Sequence, residues 1–585
     1  PGGGLGGAAR AGGLISELKR RNPFSVSADA GNYINKSADS LKRKLLLTTL
    51  ARIPYDAVNI GEGEFSGTLF ALDRDYIKAG IKAVNCNIDG ADVFGSIERY
   101  RLVNAGGKYN MLLIGAITPS IRNRPDNKSV RMLDLKKEIG KALASDEAGK
   151  ADLKVLLFGG GLAQSRKIAE NIDGIDLIIA SGARLPTYSP INHNGILIVS
   201  AGEKGRFVGE MQFNFSGNKI TYGNKMYSLG HSVPEDVYIK KLLQNYKEGT
   251  DSPLPELSNY TPKKHNYLYY SDFSGDTSLY VKVANEDMHI KIDGFERNEG
   301  RPVFSPQRKK IIFTVETDFK NRDNVRSLMC YDLLYNTIRT VYADSSLSIT
   351  DYEWAGGENF VYFIMGDKGE KDIYLADIYS EALINITNSK KDEEELELSP
   401  DMQVLAYTVK NNEQLDIMLS DPRGGGAYMI NKKEAKYRHL RWSRGGSILS
   451  AIKMEPGKSG KSGDLYLFDM DRDNGTFVTR NAGIMDAEWL DDNTAVLSYG
   501  TDFPDLALFS AETGVMRPLI TGMDNKEKRY GEIRPLPVGC ENGANGVIIF
   551  ERINAGENNG VYSIRRDGSF FTRPLRYRGN TSLPD

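Results

Sequence analysis

Asn32, Glu62 and Glu64 are the residues of this 585-residue chain whose types and spacing come nearest to chemistry. Amide and carboxylate oxygens hold hard divalent cations, and Gly63 separates the two acids. Imidazole, the other common ligand, is scarce. The five histidines are His193, His231, His265, His289 and His439, and each lies in a segment that reads as turn, surface or strand. One reading lets Glu62 and Glu64 hold a single metal with Asn32. Arg184 weighs against it if it lies nearby, because a fixed cation repels another. Arg184 itself either holds an anion, stays solvated or pairs with Glu62 or Glu64. The glycine runs at Gly159–Gly161 and Gly424–Gly426 lack the G-x-x-x-x-G-K-[ST] pattern and read as turns. No G-x-S-x-G elbow offers a serine nucleophile.

The elements that must carry these residues change in kind near residue 250. Before it, apolar runs at Val26–Ala28, Ala57–Ile60, Met111–Ile117, Leu153–Phe158 and Ile175–Ala180 read as buried strands. They alternate with helical patterns at Leu14–Arg21 and Ser37–Arg52. That alternation predicts an α/β layered domain over 1–250. The Pro-rich, aperiodic stretch 251–263 is the expected linker.

From 264 to 585 the pattern is all β and it repeats. Apolar strands start at Tyr267, Ile311, Phe360, Val404, Ile448, Ala495 and Val547, spaced 44, 49, 44, 44, 47 and 52 residues apart. Such a period, with about four short strands per unit, is that of a β-propeller. Seven blades fit best, with six or eight as alternatives. The first blade lacks an innermost strand, so the segment after Leu575 is expected to close the ring. Second strands share a form, as in Asp372–Asp377, Asp416–Asp421 and Asp464–Asp469, with Ile373 and Leu375 on one face. The acidic run Lys390–Glu395 reads as a solvated loop between blades.

Composition sets limits on partners. Lys+Arg 75 against Asp+Glu 77 leaves a net charge of −2, so nothing favours nucleic acid. No apolar run approaches the ~18 residues of a membrane span. Cys86, Cys330 and Cys540 form no C-x-x-C pattern; they read as buried thiols, with one bridge as the alternative. The start at Pro1, without an initiator Met, fits an exported mature chain.

Several segments of the first domain resemble the calcineurin-like metallophosphoesterases of the 5′-nucleotidase type. Gly6–Lys19 is similar to that family's first helix and Ser27–Asn32 to its L-D-A-G-D strand end. Tyr55–Phe65 resembles Y-D-A-V-x-L-G-N-H-E-F. Gly174–Ile179 matches the strand before G-G-H-x-H-T, and Gly195–Gly209 resembles N-G-T-L-I-V-Q-A-G-E-Y-G-K-Y-L-G. The resemblance implies a two-metal hydrolase fold whose ligands are replaced in this chain. Asn32 stands for the bridging Asp, Glu62 and Gly63 for the Asn and His of G-N-H-E, and Gly159 for a His. Gly182 and Arg184 stand for the two histidines of G-H-x-H. Glu64 is kept. The repeat from Lys264 onward resembles TolB-type propellers, with their S-P-D-G and D-I-Y-x-x-D motifs. The expected function is therefore that of an inactive phosphoesterase-like scaffold outside the cytoplasm, without a cofactor. It would bind protein partners or copies of itself. The alternatives are a surviving metal-dependent phosphohydrolase of nucleotides or other phosphate esters, and a small ligand or glycan held in the propeller channel.

Overall fold

Strands buried on both faces read as unbroken apolar runs, and the N-terminal part of the chain shows why. The computed structural model describes residues 7–33, 40–61, 64, 79–89, 97–118, 131–216, 219–230, 232–250, 260, 262, 267–271, 278–282, 289–292, 302–316, 326–344, 347–367, 369–380, 382–431, 435–454, 462–470, 474–477, 479, 482–499, 505–519, 536–538, 547–552, 560–566 and 581–582. Two compact units result, Pro1–Glu256 and Leu257–Asp585. Of the expected linker, only Tyr260 and Pro262 fall among the described residues.

The first unit runs α1 (Ala8–Arg21), β1 (Ala28–Asp29), α2 (Ser40–Arg52), β2 (Ala57–Asn59), β3 (Ala83–Val84), β4 (Ile88–Asp89), β5 (Tyr100–Ala105), β6 (Tyr109–Ile117) and β7 (Arg131–Met132). It continues through α3 (Leu135–Leu143), α4 (Asp146–Gly149), β8 (Leu153–Gly159), α5 (Leu162–Asn171), β9 (Leu177–Ala180), β10 (Ile191–His193) and β11 (Ile196–Val199). It ends on β12 (Phe207–Ser216), β13 (Lys219–Ser228), β14 (Glu235–Asp236) and α6 (Val237–Glu248). A small parallel sheet, β1-β2-β3, packs on a larger one ordered β10-β11-β9-β8-β6-β5. In the larger sheet β6, β8, β9 and β11 are parallel, and β5 and β10 are antiparallel edges.

Alternation along β8 divides its side chains between two cores. Leu153, Val155 and Leu157 meet Ala57 and Val84 between the sheets. Leu156 and Phe158 face Ile139 and Ala142 of α3 and Ile168 of α5. Leu47 and Leu50 of α2 cover Val58 on the far side of the small sheet. The order of layers is helix, sheet, sheet, helix. Helix α1 begins earlier than the periodicity at Leu14 suggests. Its glycines admit a close neighbour: a Cβ on Gly13 would lie 2.2 Å from the Pro234 carbonyl oxygen. The first strand is shifted to Ala28–Asp29, since the Ser27 amide is committed to Asp56 Oδ2 at 2.9 Å.

The second unit is β-rich. Tyr267–Ser271, Ser278–Lys282 and His289–Lys291 form an antiparallel meander. Thr581–Ser582 pairs with its edge, Tyr270 opposite Ser582 and Ser271 opposite Thr581. Six further groups follow in chain order. They begin with the strands Val303–Phe304, Ser348–Trp354, Glu393–Leu398, Lys436–Trp442, Ile484–Trp489 and Leu536–Val538. Each of the seven expected apolar strands lies within one of the groups.

Repeated polar devices hold these groups. The leading acids Asp372, Asp416 and Asp464 accept from Thr387 Oγ1, Asn431 Nδ2 and Thr479 Oγ1, each 15 residues downstream, at 3.0, 3.0 and 3.2 Å. Between groups, first-strand acids take main-chain amides of the next first strand. Asp351 accepts from Leu396 N at 3.0 Å, Glu353 from Leu398 N at 2.8 Å and Glu395 from His439 N at 2.7 Å. A charge that accepts hydrogen bonds from buried amides offsets its own desolvation. The run Lys390–Glu395 is accordingly not a solvated loop throughout. Glu393 opens a first strand and is 1% exposed, and Asp392 accepts from Gly369 N at 2.8 Å. Cys86 and Cys330 are free and buried, and burial pushes both thiols up to about 12. Cys540 lies outside the described residues.

Candidate functional site

The candidate site forms where β1, β2, β8 and β9 end. After Asp29 the chain turns through Gly31 at φ 93° and Asn32 at φ 67°, left-handed conformations that glycine and asparagine tolerate best. Glu64, 1% exposed, anchors this turn. Its Oε2 accepts from Asn32 N at 3.0 Å and from Gly61 N at 2.7 Å. Asn32 Nδ2 donates to Ser181 Oγ at 3.1 Å, tying the turn to the end of β9. There Ser181 N donates to the Phe158 carbonyl and Gly182 N to the Gly160 carbonyl, both at 3.0 Å. The structure thus brings Asn32, Glu64, Gly159 and Gly182 to one cluster of strand ends. Arg184 is exposed two residues on and makes no ion pair among the described residues. Glu62 and Gly63 lie outside the described residues, as do His231 and His265.

The other histidines are dispersed. His193 Nε2 meets Glu170 Oε1 at 3.1 Å on an exposed edge, and His289 lies in a strand of the second unit. His439 sits at φ 56° in the strand Lys436–Trp442. Among the described residues no three His, Cys, Asp or Glu side chains are grouped to hold a metal ion.

The glycines at these strand ends sit close to other atoms. A Cβ on Gly182 would lie 2.7 Å from the Gly160 carbonyl carbon and 2.9 Å from Gly161 N. A Cβ on Gly159 would lie 2.7 Å from Ile117 Cγ2. Neighbouring backbone crowds a Cβ at the first position, and a core side chain crowds one at the second. Glu64 already has one oxygen held by two amides. Gly182→His is expected to cost about 1–3 kcal/mol through overpacking. Urea unfolding read by far-UV circular dichroism checks this, since the described helices all belong to the first unit.

Sequence reasoning missed a half-buried polar group beneath the site. Asp29 Oδ1 accepts from Gly31 N at 2.8 Å, and the Tyr55 hydroxyl also bonds this carboxyl. Burial, joined by the charge of Glu64, raises Asp29 to about 6. Tyr33, whose buried hydroxyl has no hydrogen-bond partner among the described residues, is pushed well up by burial and by Asp29. Beside them lies a ladder of amides. Asn59 Nδ2 donates to the Ala30 and Ala116 carbonyls at 3.1 and 3.0 Å, and Asn85 Nδ2 donates to Asn59 Oδ1 at 3.1 Å. Asn87 exchanges two bonds of 2.9 Å with the Ile117 backbone. The available signal was polar side chains at the apolar strand ends, Asn59 and Asn85-Cys86-Asn87.

No family model matches the chain, and no curated protein matches it. Solved structures do. The 5′-nucleotidase precursor of Thermus thermophilus is 23% identical, with 42% of this chain and 54% of that one covered at a TM-score of 0.38. The calcineurin-like phosphoesterase YfkN of Bacillus subtilis is 17% identical over 42% of this chain and 89% of its own, at 0.34. TolB of Acinetobacter baumannii is 14% identical over 62% of this chain and 91% of its own, also at 0.34. The matched region spans about half the length of the first of these proteins. No helix among the described residues is long and apolar enough to cross a membrane.

Proposed function

We propose that this chain is a non-catalytic binding protein. In this reading residues 1–250 keep a metallophosphoesterase architecture without its metal pair, and 251–263 link it to a TolB-like propeller of seven blades over 264–585. Thr581–Ser582 closes the ring on Tyr270 and Ser271. The protein works outside the cytoplasm, with a protein partner or a second copy of itself as its ligand. The observation that supports the reading is the crowding at Gly159 and Gly182, where a Cβ would meet Ile117 and the Gly160 backbone. A two-metal mechanism depends on ligands that fix both ions and the attacking water. Its loss leaves the rigid inner strands, with their rows of cross-group hydrogen bonds, as the surface suited to recognition.

The test is elemental analysis of the purified chain, followed by phosphomonoester and nucleotide hydrolysis with manganese, zinc or calcium added. No stoichiometric metal is expected, and no turnover above that of Glu64→Ala. Two ions per chain, or metal-dependent turnover that Glu62→Ala abolishes, would establish the phosphohydrolase instead.

A further inference from the structure

Between the strand groups that begin at Ser348 and at Glu393 the chain runs through residues 386–392, and two carboxyl groups share one serine there. Asp372 Oδ1 accepts from Ser389 N at 2.7 Å and from Thr387 Oγ1 at 3.0 Å, and its Oδ2 accepts from Asn385 Nδ2 at 2.8 Å. Asp392 Oδ1 accepts from Gly369 N at 2.8 Å and from Lys371 N at 3.2 Å. Both acids tie the connection to the hairpin made by Phe360–Asp367 and Glu370–Asp377. Glu393, where the next strand starts, is different. Its Oε1 lies 2.9 Å from Ser389 Oγ. Its Oε2 is shut off from solvent and has no hydrogen-bond partner among the described residues. An ionised carboxylate with a buried, unsatisfied oxygen is strongly disfavoured, and a neutral acid far less so.

Counting hydrogens at Ser389 leads to the same protonation state. A serine hydroxyl has one hydrogen and two lone pairs. Lys391 N donates to Ser389 Oγ at 3.0 Å. Two acceptors, the Lys391 carbonyl at 3.1 Å and Glu393 Oε1 at 2.9 Å, compete for the single hydrogen. A proton on Glu393 Oε1 removes the competition, because the carboxyl then donates to Oγ and Oγ donates to the Lys391 carbonyl. The surroundings act in the same direction. Among the described residues, the titratable groups around Glu393 are Asp372 of Glu370–Asp377, Asp392 beside it in the chain and Tyr407 of Leu405–Asn411. Asp416 stands one strand further on, opposite Val409, which is itself opposite Glu393. Lys410, next to Val409 in the chain, reaches Glu394 Oε1 at 3.9 Å instead. Burial, with the charges of Asp372 and Asp392 added, raises Glu393 to about 7 against the bond to Ser389.

We propose that Glu393 is a proton-operated latch on the connection 386–392. Protonated, it completes the hydrogen bonds at Ser389 and holds the connection against the hairpin of the preceding group; ionised, it draws in water and the connection opens more often. The sign follows from the proton. The folded-state carboxyl is raised from 4.5 to about 7, so the latch is fully closed below 4.5 and is lost as pH rises through about 7. The latch involves two consecutive groups only, so it stands whether or not the groups close into a ring.

Native-state amide hydrogen exchange of the full chain tests it, read by mass spectrometry on peptides covering 369–371 and 386–393. Protection is referred to the intrinsic exchange rate at each pH. In the wild-type chain the opening of these segments is expected to rise roughly tenfold or more between pH 5 and 7 and to level off above that. The strand Asp464–Asp469, in another group, should show no such step. Glu393→Gln supplies an uncharged donor toward Ser389 Oγ. Its protection at pH 7 should match that of wild type at pH 5 and should not change with pH. Asp372→Asn keeps an acceptor for Ser389 N and removes a neighbouring charge, so the step should level off at a lower pH; this variant decides the matter if Glu393→Gln fails to fold. Wild-type protection that is flat from pH 5 to 8 overturns the latch. So does a step that survives Glu393→Gln, one that Asp372→Asn leaves in place, or one of equal size in Asp464–Asp469, which would mark loosening of the whole unit.

Discussion

Asp29→Asn is expected to stabilise the first unit by about 2–3 kcal/mol at pH 7, and to remove a pH dependence that the wild-type unit shows between about pH 4 and 6. The sign follows from where the proton sits. Burial raises the folded-state Asp29 from 3.8 to about 6, so the folded chain holds this proton more tightly than the unfolded one. Stability from the neutral acid is fully present below 3.8 and is lost as pH rises through about 6. Above that range the folded unit carries a buried carboxylate with Glu64 as a neighbouring charge. Asparagine keeps an acceptor for Gly31 N and carries no charge. Urea unfolding at pH 4, 5, 6 and 7.5, read at 222 nm, measures the effect. Wild type and Asp29→Asn should converge at pH 4 and separate by pH 7.5. Parallel curves across the whole range would show that Asp29 titrates as an ordinary surface acid.

The layered α/β unit and the repeating β unit were both legible from periodicity, because burial leaves its mark residue by residue. Leu153–Phe158 reads as a buried strand since its two faces meet two different cores, and no alternation is left to obscure it. The 44-residue spacing recurs because each group rebuilds the same meander. Helix α1 was only half visible, as Gly12 and Gly13 trade propensity for close approach to the chain around Pro234 and Asp236. Pairings across sequence were not legible. Nothing local says that Glu64 will hold Asn32 and Gly61, or that Asp29 will meet Tyr55. The run at Lys390–Glu395 misleads for the same reason. Its acids look solvated until their partners, the amides of Gly369 and Lys371 and of His439 in the next group, are known. In the candidate site the residue types were readable one by one. That a Cβ at Gly159 would meet Ile117, and one at Gly182 the backbone of Gly160, was not, because those atoms belong to other turns of the chain.

Arg441→Met is expected to cost the second unit about 3–5 kcal/mol, more than any single exposed ion pair would. Arg441 lies in a first strand and reaches the first strands on either side. Its Nε donates to Glu488 Oε1 at 3.0 Å, one Nη reaches Glu397 Oε2 at 3.5 Å, and that same nitrogen donates to the Leu440 carbonyl at 2.8 Å. Its side chain is 19% exposed, and those of Glu397 and Glu488 are 19% and 29% exposed. The nearby charges of Glu397, Glu488 and Asp486 hold the guanidinium charged against the cost of burial. Methionine fills much of the volume and leaves these carboxylates facing one another in a poorly solvated space. The loss should therefore shrink as pH falls and the acids take up protons, and Glu488→Gln in the same chain should recover part of it at neutral pH. Denaturant unfolding followed by tryptophan fluorescence reports directly, as Trp442 and Trp489 close the strands that carry Arg441 and Glu488. A change below about 1 kcal/mol, or one independent of pH, would mean that the three strands are held by their backbone bonds and packing alone. The charges would then be solvated rather than structural.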